Sequence, residues 1–114
     1  MSLSFLGYDE KVLTFEAASG LEAGDLVKIS ANGKVAEAST DGDVFCGKAI
    51  NVRNGFAAVQ LSGYMEAAYS GTVNLGYQSV SIDENGKVEV PESGGHEILV
   101  LTIDSTNHKL GFLL

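Results

Sequence analysis

The chain has 114 residues, 45% of them apolar, with a net charge of −8, 14 Gly, one Pro, one Cys and no Trp. A single cysteine excludes a disulfide scaffold and a cysteine-rich metal site. Seven scattered basic residues against fifteen acidic ones leave no patch for nucleic acid or anionic lipid. By area scaling, a chain of this size buries about 65% of its unfolded surface, which suffices for one domain without staples.

Taken in chain order, residues 1–9 carry Leu3, Phe5, Leu6 and Tyr8 among Ser, Gly and Asp, and read as an apolar N-terminal arm with no secretory pattern. Residues 10–114 read as a single β-domain. Leu13, Phe15 and Ala17 alternate with Val12, Thr14 and Glu16, the period of a strand. Further β-type segments follow at residues 27–30, 56–61, 80–83, 88–90 and 98–103. Asn32-Gly33, Asn54-Gly55 and Asn85-Gly86 separate pairs of them, and both residue types tolerate the positive φ of tight hairpin turns. Residues 63–69, rich in Ala, Met and Glu, read as a strand, with a helical turn as the alternative. The longest uninterrupted apolar run after the arm is residues 98–101, far short of a membrane span.

An internal repeat accompanies this pattern. A shift of 53 positions lays Val27-Lys28-Ile29-Ser30-Ala31-Asn32-Gly33-Lys34-Val35 on Val80-Ser81-Ile82-Asp83-Glu84-Asn85-Gly86-Lys87-Val88. The same shift carries Gly42 to Gly95, Ile50 to Ile103, Asn54 to Asn107 and Leu61 to Leu114. Each half reads as hairpin, loop, hairpin. The fold class is all-β: a small barrel or compact sandwich of short antiparallel hairpins, with a two-fold sequence repeat. The expected core is Leu26, Val27, Ile29, Val35, Phe45, Ile50, Val59, Leu61, Val80, Ile82, Val88, Ile98, Val100, Ile103, Leu110 and Phe112.

The residues that could carry chemistry are few. Cys46, inside Val44-Phe45-Cys46-Gly47, reads as a small buried hydrophobe in a reducing compartment, since no base lies nearby in sequence. His96 and His108 read as loop residues, and neither has a second His at ligand spacing. Asp41-Gly42-Asp43 and Asp83-Glu84-Asn85-Gly86 do not match a calcium loop, and turn formation accounts for them. No nucleophile elbow, phosphate loop or dinucleotide fingerprint is present. No catalytic residue, metal or cofactor is expected. Tyr64, Tyr69 and Tyr77, with Phe56, form a loose aromatic group with three readings: core and edge packing, a protein interface, or a sugar-stacking site.

The run Leu13-Thr14-Phe15-Glu16-Ala17-Ala18, then Gly24-Asp25-Leu26-Val27, then Asn32-Gly33-Lys34-Val35-Ala36 resembles small β-rich bacteriophage head proteins. These are the capsid decoration, or cement, proteins and their prophage relatives. Gly71-Thr72-Val73, Gly76 and Asn85-Gly86-Lys87-Val88 extend the likeness, which covers residues 12–90. The resemblance implies a structural virion protein, not an enzyme. Such a protein is made in the bacterial host cytoplasm and bound to the outer surface of an assembled head. Its implied partners are the major capsid protein and further copies of itself, a trimer being favoured. Leu3, Phe5, Leu6, Tyr8, Tyr64, Tyr69 and Tyr77 are the interface candidates. A carbohydrate-binding or adhesion module using the tyrosines is the alternative.

Overall fold

Asn54 and Gly55 adopt φ of 54° and 81°. Positive φ at both central residues is the signature of the tight two-residue turn whose twist matches that of the flanking strands. This turn joins β4 (Gly47–Arg53) to β5 (Phe56–Ser62), and Asn32-Gly33, where only Gly33 is left-handed at φ 66°, joins β2 (Leu26–Ala31) to β3 (Lys34–Glu37). With β1 (Lys11–Ala17) they close a five-stranded barrel in the order β1-β3-β2-β4-β5, β5 returning to β1. The remaining strands are β6 (Tyr64–Ala68), β7 (Gly76–Ile82), β8 (Val88–Glu89), β9 (His96–Asp104) and β10 (Lys109–Leu113). They form a second sheet in the order β6-β10-β9-β7-β8.

This structure, a computed structural model, describes residues 11–114. The expected arm, residues 1–9 with Leu3, Phe5, Leu6 and Tyr8, lies outside the described residues. Among the described residues there is no helix, and the all-β expectation holds, including a strand over most of residues 63–69. One departure from antiparallel hairpins is the parallel pairing of β1 with β3 at Glu16–Lys34 and Ala17–Val35.

The sequence repeat is a structural repeat. β1 to β5 correspond in order to β6 to β10, and the two sheets have the same cyclic strand order. A parallel bridge between Tyr69 and Val88 stands where β1 pairs β3, so the second unit nearly closes in the same way. Each unit carries a bulge at the matching place. Register skips from Ala49 to Asn51 against β5, and from Val100 to Thr102 against β10. The bulged residues are therefore Ile50 and Leu101. This corrects the uniform shift, which laid Ile50 on Ile103. The β4–β5 turn has two residues and the β9–β10 turn, residues 105–108, has four, so the preceding strands drift by two positions. Where Gly55 ends the short turn, His108 ends the longer one in the same left-handed region, at φ 54°.

Two apolar clusters fill the molecule. Leu21, Val27, Val35, Ala49, Ala57 and Val59 fill the closed barrel. The second cluster is built from Met65, Ala67, Tyr69, Val73, Val80, Ile82, Val88, Ile98, Val100, Leu110 and Phe112, but it also contains Leu26, Ala38 and Phe45 from the first half. The loop 38–46 carries Phe45 across the seam. Its ring meets His96 edge-on at 4.6 Å and Phe112 at 6.0 Å. The two units are thus fused by a shared core as well as by the single-residue link at Gly63.

Two expected core residues are exposed: Ile29 at 54% and Ile50 at 48%. Ile29 sits beside the register shift at the hairpin end of β2, where the barrel opens to solvent. Ile50 is the bulged residue, so the in-out alternation breaks there. Leu61 and Ile103 are half-buried.

Candidate interaction surface

The acidic turns are occupied by their own backbone. Asp83 Oδ1 accepts the Asn85 and Lys87 amides at 2.8 and 2.9 Å, and its Oδ2 accepts the Ser70 hydroxyl at 2.6 Å. Burial works to raise the Asp83 pKa, but these three hydrogen bonds outweigh it and hold the carboxyl below its ordinary value. Asp43 accepts from Lys28 Nζ at 2.8 Å and from the Thr40 amide at 3.0 Å. The Lys28 bond chiefly lowers its pKa, against burial. Among the described residues no group of three or more His, Cys, Asp or Glu could hold a metal ion. Replacing Asp83 with Ala is expected to cost about 1.5–3 kcal/mol, the usual loss for hydrogen bonds to a buried charge. Urea denaturation at pH 7 measures it. Because the folded pKa is the lower one, the loss shrinks as pH falls through it.

Cys46 is half-buried, and burial pushes its thiol pKa up, the opposite of what a nucleophile needs. His96 is the first residue of β9, not the loop residue expected, and it is only partly exposed because Phe45 covers its ring. Both ring nitrogens are buried without a hydrogen-bond partner, and burial holds its pKa below the ordinary 6.5. The unfolded chain therefore binds the proton more readily than the folded one. The contribution of His96 to stability is expected to be constant above about pH 7 and to fall as pH drops below 6.5 toward the folded value. Denaturation midpoints at pH 7.5 and 5.5 test this, since His96→Leu should remove that part of the slope.

The aromatic group does not assemble. Tyr64 and Tyr69 are buried, at 8% and 6% exposure, and belong to packing rather than to a surface. Tyr64 donates its hydroxyl to Glu66 Oε2 at 2.9 Å, and the Tyr69 ring lies 5.7 Å from that of His108. As exposed interface candidates Tyr64 and Tyr69 are corrected: Tyr69 packs in the second core, and the Tyr64 hydroxyl lies over Gly111. Tyr77 is open, at 67%, and Phe56 is open on the far barrel wall, between Glu16 and Arg53. A sugar platform built from the three tyrosines is therefore not formed.

Tyr77 instead ends a row that crosses the second sheet. Register pairs it with Leu99 of β9, Leu99 with Leu113 of β10, and Leu113 with Tyr64 of β6. Partners in antiparallel register point to the same face, so these four residues form one line about 14 Å long. Leu99 and Leu113 are half-buried, and Leu75 beside the row is 63% exposed. Leu99 and Leu113 were not singled out from the sequence. The signal was there in Ile98-Leu99-Val100-Leu101, a strand apolar on both faces, which is the mark of a strand covered on both faces.

At the seam lies a cleft of about 270 Å³ lined by Asp25, Glu37 and Lys48 of the first unit and Glu66, Lys87 and Lys109 of the second. Its three amines and three carboxylates balance, so it has no net charge with which to select an ion. Lys48 donates to the Glu66 carbonyl at 2.8 Å. Its pKa is lowered by burial and by Lys109, against the effect of Glu66. No protein-family model and no curated protein matches the chain.

Proposed function

We propose that this chain is a structural protein of a bacteriophage head that binds the outer surface of the assembled shell and stabilises it. The observation that carries this reading is the apolar Tyr77–Leu99–Leu113 row, displayed by two β-units locked together through a common core. Such a block offers a preformed face to a further copy of itself and orders little on binding. The sequence likeness to decoration proteins supplies the partner of the oligomer, the major capsid protein. In this reading the protein is a homo-oligomer, with a trimer favoured. It has no enzymatic activity and touches neither nucleic acid nor membrane. It is made in the host cytoplasm and carried on the virion exterior. The alternating strands and explicit turns suit a passive building block.

The mechanism follows from mass action. A ligand that binds only the assembled shell stabilises it in proportion to the logarithm of its saturation. Oligomeric binding adds avidity, since several contacts form together. The charge of −8 favours a capsid face with exposed Lys or Arg.

Co-sedimentation of the purified protein with mature heads of the parent phage tests the reading. Saturable binding, together with heads that resist heat or chelation better when decorated, is the expected result. Absence of co-sedimentation overturns it. Deleting residues 1–9 is expected to weaken head binding while leaving the melting temperature of the β-domain within a few degrees.

A further inference from the structure

The internal repeat supplies a template for an interface between chains. In the first unit, Leu26 pairs with Lys48, Lys48 with Gln60, and Gln60 with Val12. Lys48, Gln60 and Val12 stand where Leu99, Leu113 and Tyr64 stand in the second unit; on the next strand Tyr77 takes the rung of Leu26, although the repeat lays Leu26 on Ser79, because β7 pairs β9 two residues out of step with β2 on β4. In the first unit much of the row is covered from within the chain. Leu26 enters the second unit's core, Lys48 Nζ donates to the Glu66 carbonyl at 2.8 Å, and Gln60 Nε2 donates to the Tyr64 carbonyl at 2.9 Å. The element that covers it is β6.

Both sides of that contact recur elsewhere in the chain, less fully covered. The equivalent of the covered row is Tyr77–Leu99–Leu113, apolar and partly exposed. The equivalent of the covering strand β6 is β1. Tyr64, Met65 and Ala67 of β6 are buried, whereas Lys11, Val12, Leu13 and Thr14 of β1 are exposed. Among the described residues β1 pairs β3 only at Glu16 and Ala17, so one edge of its first half has no strand beside it. Val12 and Leu13, at 44% and 57% exposure, make this edge apolar as well.

We infer that the Tyr77–Leu99–Leu113 row of one copy docks on the β1 edge of a second copy, repeating between chains the contact that β6 makes within one. Where the internal contact uses Lys48 and Gln60 to reach backbone carbonyls, Leu99 and Leu113 occupy those positions, so the contact between chains is apolar. A row on one copy meeting a different surface on the next is a heterologous interface, which closes into a ring when the rotation allows. The inference rests on the oligomeric part of the reading above and gives it a defined surface. Burial of an apolar row and of an open strand edge in one contact also removes two features that invite non-specific association.

The test is sedimentation equilibrium of the free protein, of Tyr77→Asp, of Leu13→Asp, and of the two variants mixed in equal amounts. The wild type is expected to be an oligomer and each variant a monomer. The mixture is expected to form a one-to-one dimer that grows no further, because each partner contributes the face the other lacks. A monomeric wild type overturns the inference, as does a variant that keeps the wild-type mass. A mixture that stays monomeric also overturns it, and would mean that the row pairs with itself or is covered by residues 1–10 of its own chain. Circular dichroism melts show whether each variant folds. If an aspartate variant does not, Tyr77→Ser and Val12→Ser carry the same comparison. Oligomers that fail to bind heads would overturn the head-binding reading and leave this interface standing.

Discussion

Replacing Phe45 with Ala is expected to lower the unfolding free energy by about 3–5 kcal/mol, the range for a fully buried aromatic side chain. The ring is 2% exposed and sits between His96 and Phe112 at 4.6 and 6.0 Å. It belongs by sequence to the first unit and by packing to the second. Its removal therefore leaves a cavity in the shared core, and the 38–46 loop loses its anchor. A domain of this size has about 5–15 kcal/mol of stability in all, so the variant should sit near the margin at 37 °C. Guanidinium denaturation followed by far-UV circular dichroism and by tyrosine fluorescence measures the loss. Tyr64 and Tyr69 report on the second unit, since the chain has no Trp. If the units are one cooperative body, both signals move together to a lower midpoint. A loss under 1 kcal/mol, or a second unit that melts unchanged, would contradict the description of Phe45 as the link between them.

Gly95→Ala should be nearly as damaging for a different reason. Gly95 has φ +87°, in the left-handed region, and a Cβ there would lie 2.5 Å from the Val80 carbonyl oxygen and 2.9 Å from its carbon. The left-handed backbone costs an L-residue about 1–2 kcal/mol, and overlap with rigid backbone adds about 1–3 kcal/mol. Val80 is the register partner of His96, so the strain falls on the first rung of the β7–β9 ladder. Gly94 provides the control. Its φ is +80°, but a Cβ there meets nothing within 4 Å, so Gly94→Ala should show the backbone cost alone. Equal losses in the two variants would mean that β7 and β9 can part without penalty at that end.

The strands and turns were legible because they are local. Alternation in Leu13, Phe15 and Ala17 and the Asn-Gly pairs are written in adjacent residues, and both were read correctly. The repeat was legible too, but as one shift. The drift within it arises from a turn two residues longer, and only pairing partners reveal which residues a longer turn displaces. Ile50 illustrates this: by sequence it is an inward residue matched to Ile103, and by register it is an outward bulge matched to Leu101.

The interaction surface was less legible. Tyr64, Tyr69 and Tyr77 look alike in the sequence, yet two are buried and one is open, because Tyr69 packs in the second core and Tyr64 lies over the side-chain-free Gly111, whereas Tyr77 at the start of β7 stays bare. Leu99 and Leu113 drew no notice because a leucine in a strand reads as core.

From its amino-acid order alone, this chain is committed to short strands, tight left-handed turns, an acidic surface and a duplicated plan. Those properties follow from the preferences of each residue and its immediate neighbours. Which strand faces close against each other, that Phe45 crosses from one unit into the other, and that the row of Lys48 and Gln60 is covered while its apolar counterpart stays partly exposed were decided by tertiary structure. Alternation tells which side of a strand a residue occupies, but what lies on that side depends on chain segments tens of residues away.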